Sequence, residues 1–273
     1  AAFEEVGYHT HHRVLDAADY GVPQHRERLF IVGIQEGRYE FPRPTHGPDA
    51  PDGAPFFSAG QAVEGAATSG VGAGIGGHHG HLLDEIPPGL NYSFFTEKLG
   101  HPRPIFAWRS KFSDYLYKAD PEVPVRTIKA QGGQYTGPFS WENRRFSVPE
   151  LKRLQTFPDH YEIVGGRQVA IEQIGNSVPP QIARMLALSV LHQVFEVEPP
   201  VPLHYLSPSE KLGFRSRKRL LTATYAEKAR AAHESGANEP GEASGGNGSG
   251  GLRMEGTRYL ANDFEWSESK IDG

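Results

Sequence analysis

The sequence has no cysteine and only two methionines among its 273 residues. The absence of cysteine excludes disulfides, and it also excludes any reaction in which this chain supplies a thiolate nucleophile. No apolar run approaches the roughly 18 residues that a membrane-spanning helix needs, and no basic and then apolar leader opens the chain. We therefore expect a soluble, cytoplasmic protein without membrane contact. The first residue is Ala and not Met, which favours a fragment or a processed product.

Packing material is also scarce, because the hydrophobic fraction is 37% and the chain carries 32 Gly and 22 Pro. The net charge of -5 hides a basic region. Residues 98–145 hold nine Lys or Arg against four Asp or Glu, a local excess of five positive charges, with aromatic residues interleaved. Such a stretch is typical of a surface that binds a polyanion, although an ordinary solvated surface has the same composition.

The chain begins with two predicted strands, residues 8–15 and 28–34, the second of which is apolar enough to lie inside a sheet. A polar turn joins them. The proline-rich stretch 41–55 then marks a boundary, and 60–80 is glycine-rich and is expected to be flexible.

Two motifs in that glycine-rich stretch are weak. Gly72, Gly74 and Gly77 have the spacing of a dinucleotide-binding loop, but no strand precedes them and no apolar helix follows. Three histidines lie next to them, at 78, 79 and 81. No second ligand cluster accompanies these histidines, so we predict an ordinary loop tract and no metal site.

The later part of the chain has clearer helix signals. Ser147 and Glu150 have capping-box spacing and predict a short amphipathic helix that ends near Pro158. Ser177, followed by two prolines, predicts the start of a helix over 178–195. Residues 123–133 read as a short β segment that ends in paired glycines. Residues 207–230 favour a basic helix, and 235–251 a low-complexity linker.

Four stretches resemble, in order and spacing, blocks of the DNA cytosine-5 methyltransferases. They are GYHTHHRVLDAADYGVPQHRERLFIVG (7–33), RTIKAQGG (126–133), RRFSVPELKRLQTFPD (144–159) and IGNSVPPQIARMLA (174–187). The resemblance implies an α/β protein: the end of a doubly wound, Rossmann-like sheet that binds S-adenosylmethionine, plus a smaller mixed α+β target-recognition domain. The implied parts are the last strands of the catalytic domain (1–46), the recognition domain (47–160), a return with the final helix (161–198) and a partly disordered extension (199–273).

The family's Gln-x-Arg-x-Arg turn falls on Gln24, Arg26 and Arg28, which the resemblance marks as catalytic. It implies that Arg28 donates to the carbonyl oxygen of a cytosine flipped out of the duplex, and that Arg26 positions the nucleophile loop. Guanidinium suits both tasks because it stays charged and presents its donors as a planar fork. Both arginines are then expected to face the base pocket from the end of a buried strand.

The resemblance also implies ligand contacts. Asn176 is expected to contact S-adenosylmethionine, with Gly175 allowing close backbone approach and Ser177 acting mainly as a helix cap. The expected contacts to double-stranded DNA are Thr127 at a phosphate, the loop residues Gln131, Gly132 and Gly133, and the candidates Arg109, Ser110 and Lys111 for bases or phosphates. Arg145 and Glu150 are interpreted as scaffold.

The departures from the family are as informative as the matches. The family's Pro-Cys loop and Glu-Asn-Val strand, which supply its thiolate and its carboxyl group, are absent here. Three hypotheses stay open at this point. The chain is the C-terminal part of a bacterial or archaeal restriction-modification methyltransferase completed by an N-terminal half, or a DNA-binding module without catalysis, or a truncated remnant.

Overall fold

A computed structural model describes residues 2–210, 212 and 217–236, and it describes side chains at 217–236 only for 223–235. The first two residues of the linker predicted over 235–251 are helical, and the rest of it, with everything from residue 237 onward, lies outside the described residues. The strands are β1 (His9–Asp16), β2 (Gln24–His25), β3 (Glu27–Ile34) and β4 (Val125–Arg126). The helices are α1 (Ala2–Glu5), α2 (Ala59–Val63), α3 (Leu82–Glu85), α4 (Val148–Leu154), α5 (Arg167–Asn176), α6 (Pro180–Phe195) and α7 (Arg217–Gly236).

The two predicted strands form an antiparallel pair, β1 with β3, in a register that runs from His9 opposite Ile34 to Asp16 opposite Glu27. One face of this hairpin packs on α6, in a core that includes Leu15, Ile34, Ile182 and Met185. The other face is bare.

That bare face carries Val14, Leu29 and Ile31, each exposed by 55 to 60%. The prediction that the second strand lies inside a sheet was therefore wrong for one of its faces. Among the described residues the sheet of β1 and β3 has no third strand, and these apolar side chains with strand periodicity are left in water.

A second sheet connects distant parts of the chain. Strand β2, in the turn between β1 and β3, pairs in parallel with β4 through Gln24 opposite Val125 and His25 opposite Arg126. The β segment predicted over 123–133 is thus only two residues long in regular strand geometry. Its pairing holds the charged turn against the segment at 125–126.

The capping box is confirmed at α4. The Ser147 hydroxyl accepts from the Glu150 amide at 3.2 Å, and the Glu150 carboxylate accepts from the Ser147 amide at 2.6 Å. The partner of the Glu150 carboxylate is Arg144, which donates to both of its oxygens at 2.8 Å. Arg145, which we grouped with Glu150 as scaffold, does not take part in this pair.

Helix α7 packs on an aromatic core formed within residues 47–160. Ala229 is fully buried there, and the His233 ring stacks on Phe94 with centroids 4.3 Å apart. Lys228 forms an ion pair with Asp120. The basic helix that we predicted at 207–230 thus forms about ten residues later. None of the helices in the described ranges combines the length and the apolar character needed to cross a bilayer.

Candidate functional site

The charged turn is organised by one buried carboxylate, that of Asp16 at the end of β1. Its oxygens accept from the Arg26 amide at 2.7 Å and from the Ala18 amide at 3.4 Å, and they lie 2.9 Å from the His25 ring Nδ1. Because a carboxylate can accept several hydrogen bonds at once, this single side chain closes the loop that carries both arginines. Sequence reasoning missed Asp16; an acidic residue at the end of an apolar strand was the available signal.

Gln24 is fully buried and links three segments. Its amide oxygen accepts from the Ile128 amide at 2.9 Å, and its amide nitrogen bonds the side chain of Gln155, just after α4. Gln155 in turn donates to the Ile174 carbonyl at 2.9 Å and to Ser177. Gln155 was not singled out from the sequence, although a glutamine among the apolar positions of an amphipathic helix end is a detectable signal.

Arg26 is almost fully buried, with 4% of its surface exposed. Its Nη2 donates to the Gly175 carbonyl at 2.7 Å and its Nη1 to the Ile128 carbonyl at 3.3 Å. Burial and then the neighbouring charge of Arg28 lower the pKa of Arg26 to about 10. The guanidinium remains charged at neutral pH, and no acidic side chain in the described part of the chain forms an ion pair with it.

Arg28 lies next to Arg26 but is exposed. Its Nη1 donates to the Glu27 carbonyl at 2.7 Å. The turn therefore places one arginine inside the protein and leaves the other open to solvent. Arg26 is enclosed by backbone and Arg28 is not, so this structure does not bring the two arginines to face one enclosed pocket.

The Gly175–Asn176–Ser177 corner lies at the end of α5. A Cβ on Gly175 would come within 2.3 Å of the Ala130 amide nitrogen, so the close approach that we expected here is to protein backbone. Asn176 is exposed. Ser177 was wrongly predicted to cap the final helix, because its hydroxyl instead donates to the Ile174 carbonyl at 2.7 Å and terminates α5.

The expected DNA contacts fall into two groups. Thr127 is half-buried beside the turn and its hydroxyl donates to the His25 carbonyl at 2.8 Å. The loop 131–133 is exposed and lines a groove between β4 and α5. Farther along, 109–111 are exposed, and the guanidinium of Arg109 lies 5.3 Å from the Phe112 ring.

The histidine tract has a packing role. The His79 Nδ1 lies 2.5 Å from the Tyr115 hydroxyl, and its backbone amide donates to the Tyr135 hydroxyl at 3.3 Å. Across the described ranges no three His, Cys, Asp or Glu side chains converge in a way that could hold a metal ion.

Comparison with known proteins identifies the family of this chain. The family model described as C-5 cytosine-specific DNA methylase matches residues 1–63 and 75–192. The Type II methyltransferase M.SacI of Streptomyces achromogenes is 37% identical over 213 residues, which cover 71% of this chain and 54% of the relative. M.NgoFVII of Neisseria gonorrhoeae, also a Type II methyltransferase, is 34% identical over 217 residues, covering 77% and 57%. The solved S. pombe Dnmt2 methyltransferase is 14% identical with a TM-score of 0.38, covering 71% of this chain and 60% of that one.

This chain spans about half the length of the curated relatives that it matches. The match nevertheless includes all four stretches on which the resemblance was based: the arginine turn, the loop at 126–133, the α4 block and the Gly-Asn-Ser corner. The resemblance is confirmed, and the chain belongs to the C-5 cytosine-specific DNA methylase family.

Proposed function

We propose that this chain forms the C-terminal part of a DNA cytosine-5 methyltransferase of the restriction-modification type. The enzyme would transfer a methyl group from S-adenosylmethionine to a cytosine flipped out of duplex DNA. The observation that carries the proposal is the 2.7 Å hydrogen bond from Arg26 to the Gly175 carbonyl, which joins two segments 149 residues apart in sequence. These two segments are the ones expected to serve the base and the cofactor.

The two arginines would divide the work. Arg26, buried and bonded to two carbonyls, is a positioning residue that fixes the turn to the Gly-Asn-Ser corner. Arg28 is exposed beside it, with donors available to the carbonyl oxygen of a flipped cytosine. A charged donor at that oxygen stabilises the negative charge that develops on the ring when a nucleophile adds to it. Gln24 would act on the reaction only through the position of the turn.

Of the three residues at the Gly-Asn-Ser corner, Asn176 is the one whose side chain could contact the cofactor. The exposed amide of Asn176 can donate to and accept from a polar ligand, which fits S-adenosylmethionine. Gly175 faces the backbone of Ala130, and the Ser177 hydroxyl bonds within α5, so these two support the corner. When bound, S-adenosylmethionine would supply the electrophilic methyl group.

The attacking thiolate must come from other sequence, since this chain has no cysteine. We propose that an N-terminal half carries it and covers the bare face of the hairpin, where Val14, Leu29 and Ile31 lie in water. Burying a whole side chain of this kind contributes about 1.5 to 3 kcal/mol. An isolated hairpin is marginal in water, so a cover over this face would also stabilise the fold.

Reconstitution tests this proposal. The purified chain is mixed with an upstream half that carries a Pro-Cys loop, and transfer of labelled methyl groups to duplex DNA is measured. We expect label in the DNA only when both halves are present. A folded complex that transfers no label would contradict the proposal.

A matched pair of variants locates the chemistry. Arg28→Ala should reduce turnover in the reconstituted complex by about 100-fold or more, the scale typical for the loss of one charge-stabilising donor. It should leave duplex affinity nearly unchanged. Arg38→Ala, an exposed arginine just beyond the same strand, is the control and should leave turnover unchanged.

A second candidate function is a DNA-binding module without catalysis. The recognition region favours it because it has an aromatic core of its own, which includes Leu83, Phe95, Leu116 and Phe139. This candidate predicts duplex binding by the chain alone, with an affinity that falls steeply as salt rises. Methyl transfer by the reconstituted complex would rule it out as the whole function.

A further inference from the structure

The groove between β4 and α5 brings together three cationic side chains that are far apart in sequence. Lys129 comes from the segment after β4, Arg145 from the approach to α4, and Arg167 from the first residue of α5. The exposed loop 131–133 forms one edge of this groove. The proposed function gives no role to Arg145 or Arg167.

The three cations differ in how their charge is balanced. Lys129 forms an ion pair with Asp114. Arg145 donates to the Gln134 carbonyl, and Arg167 donates to the Phe146 carbonyl at 2.7 Å. Within the described ranges neither arginine forms an ion pair with an acidic side chain. A carbonyl offers a dipole and no net charge, so the two guanidiniums keep their charges side by side.

A neighbouring residue shows that this arrangement is specific to the site. Arg144, one position earlier, is bound by the carboxylates of Glu150 and Glu142, and its pKa is raised mainly by the hydrogen bond to Glu150. The pKa of Arg145 is instead lowered, first by burial and then by the charge of Arg167. Acidic side chains thus lie close by in sequence and pair with the adjacent arginine.

Backbone donors lie beside the two arginines. In the described structure the amides of residues 131–134 donate to no protein acceptor. Gly132 packs so tightly that a Cβ there would come within 2.9 Å of the Thr136 Cβ, which holds the loop close to the groove. Unpaired amides next to two guanidiniums are the donor set that binds a phosphate in many proteins.

We propose that Arg145 and Arg167 jointly bind one backbone phosphate of the DNA duplex, beside the loop 131–133. This inference rests on the proposed function, since it assigns a position on the substrate to a cation pair that the proposal leaves without a role. One phosphodiester carries a single negative charge, and it would supply the anionic partner that both guanidiniums lack among the described residues. The contact would orient the duplex in the groove and would not depend on base sequence.

The test is the salt dependence of duplex binding by the full chain. Arg145→Gln and Arg167→Gln should each weaken binding by about tenfold, because a hydrogen bond to a charged group contributes roughly 1.5 to 3 kcal/mol and one guanidinium remains. The slope of log affinity against log salt should fall by about 0.9 when the phosphate contact is lost. The double variant should bind worse than either single variant but lose less than the product of the two single losses, because both side chains serve one phosphate.

Arg184→Gln is the matched control, since Arg184 is exposed on α6 away from the groove. It should match the wild type in both affinity and slope. Unchanged binding by the groove variants would overturn the inference. If the double variant loses the full product of the two single losses in affinity, the two arginines do not share one phosphate and the inference is overturned. A wild-type chain that binds no duplex at low salt would overturn the site as well.

Thermal denaturation separates a binding role from a folding role. Each groove variant removes one of two like charges but also one hydrogen bond to a backbone carbonyl. These two effects oppose each other, so its Tm should stay within about 4 °C of that of the wild type; a larger fall would assign the arginines to the scaffold and overturn the inference. Stabilisation of the wild type by inorganic phosphate at fixed ionic strength, with no change in duplex binding by the variants, would mark a site for free phosphate instead. Methyl transfer by the reconstituted complex reports on the proposed function separately.

Discussion

Replacing Arg26 by methionine separates the two arginines of the turn by what each one does. Methionine fills much of the same space but donates no hydrogen bond, so the Gly175 and Ile128 carbonyls lose their guanidinium donor. A buried acceptor left unpaired costs about 1 to 3 kcal/mol. The bond at 2.7 Å has good length and the bond at 3.3 Å is long, so the first should contribute most of the loss.

Removing the charge also has a favourable part. Burial and the charge of Arg28 already lower the pKa of Arg26 to about 10, so a neutral side chain avoids that desolvation and repulsion. The expected net effect is a loss of about 2 to 3 kcal/mol in the free energy of unfolding, the lower part of the range for two unpaired carbonyls. For a chain of this size each kcal/mol lowers Tm by about 2 to 4 °C.

The control is Arg28→Met, the same substitution at an exposed neighbour. It should change the free energy of unfolding by less than about 0.5 kcal/mol, as most surface substitutions do. Urea denaturation followed by circular dichroism gives the free energy of unfolding for both variants, and calorimetry gives Tm. Equal effects at the two positions, or a neutral Arg26→Met, would refute the division into a positioning arginine and a substrate-facing arginine.

Three other predictions concern the frame around the site. Glu150→Gln should destabilise the chain by about 3 kcal/mol in urea denaturation, since it breaks a buried ion pair, although Gln can still complete the capping box. Glu142→Gln, at an exposed side chain, should cost under about 1 kcal/mol. Gly175→Ala should lower Tm, because its Cβ would meet backbone at 2.3 Å and overpacking costs about 1 to 3 kcal/mol, while Gly72→Ala, which meets nothing within 4 Å, should not. Burial lowers the pKa of Lys118 from 10.5 to about 8, so the unfolded chain holds this proton over that interval and Lys118 makes stability rise with pH there. Lys118→Met should flatten that rise, and a rise of unchanged slope would contradict the assignment.

Local signals in the sequence predicted the elements that depend on nearby residues. The capping box at α4 and the apolar stripe of α6 are each formed by residues close together in sequence. The observed helices begin where these signals place them, to within two residues. The sequence likewise predicted two strands, at 8–15 and 28–34, and these pair as the hairpin. These features need no information from distant parts of the chain.

The parts that were missed depend on contacts across the chain. Helix α5 begins without a side-chain cap and is polar around most of its circumference, so no periodic signal marks it. The parallel pairing of β2 with β4 involves two residues from each strand, about 100 positions apart. Serine is a preferred N-cap residue, but α5 ends directly before Ser177, and the Ser177 hydroxyl donates to the Ile174 carbonyl of that helix. In each case tertiary contact decides between two locally acceptable structures.

The unpaired arginines are informative because acids are plentiful. The chain holds 33 acidic against 28 basic residues, and Arg43, Arg144 and Arg153 each bind a carboxylate at 2.8 Å or less. Among the described residues, two pairs of arginines bind no carboxylate, namely Arg26 with Arg28 and Arg145 with Arg167. Like charges held side by side destabilise a fold, and an excess of acids makes their pairing easy to arrange. Arg26 contacts the segment after β4 and the end of α5, and Arg145 and Arg167 line the groove between them. The simplest physical account is that anionic groups from outside the chain complete both pairs. For Arg26 and Arg28 this would be an anionic group of the N-terminal half that we propose, and for the groove pair a phosphate of the DNA.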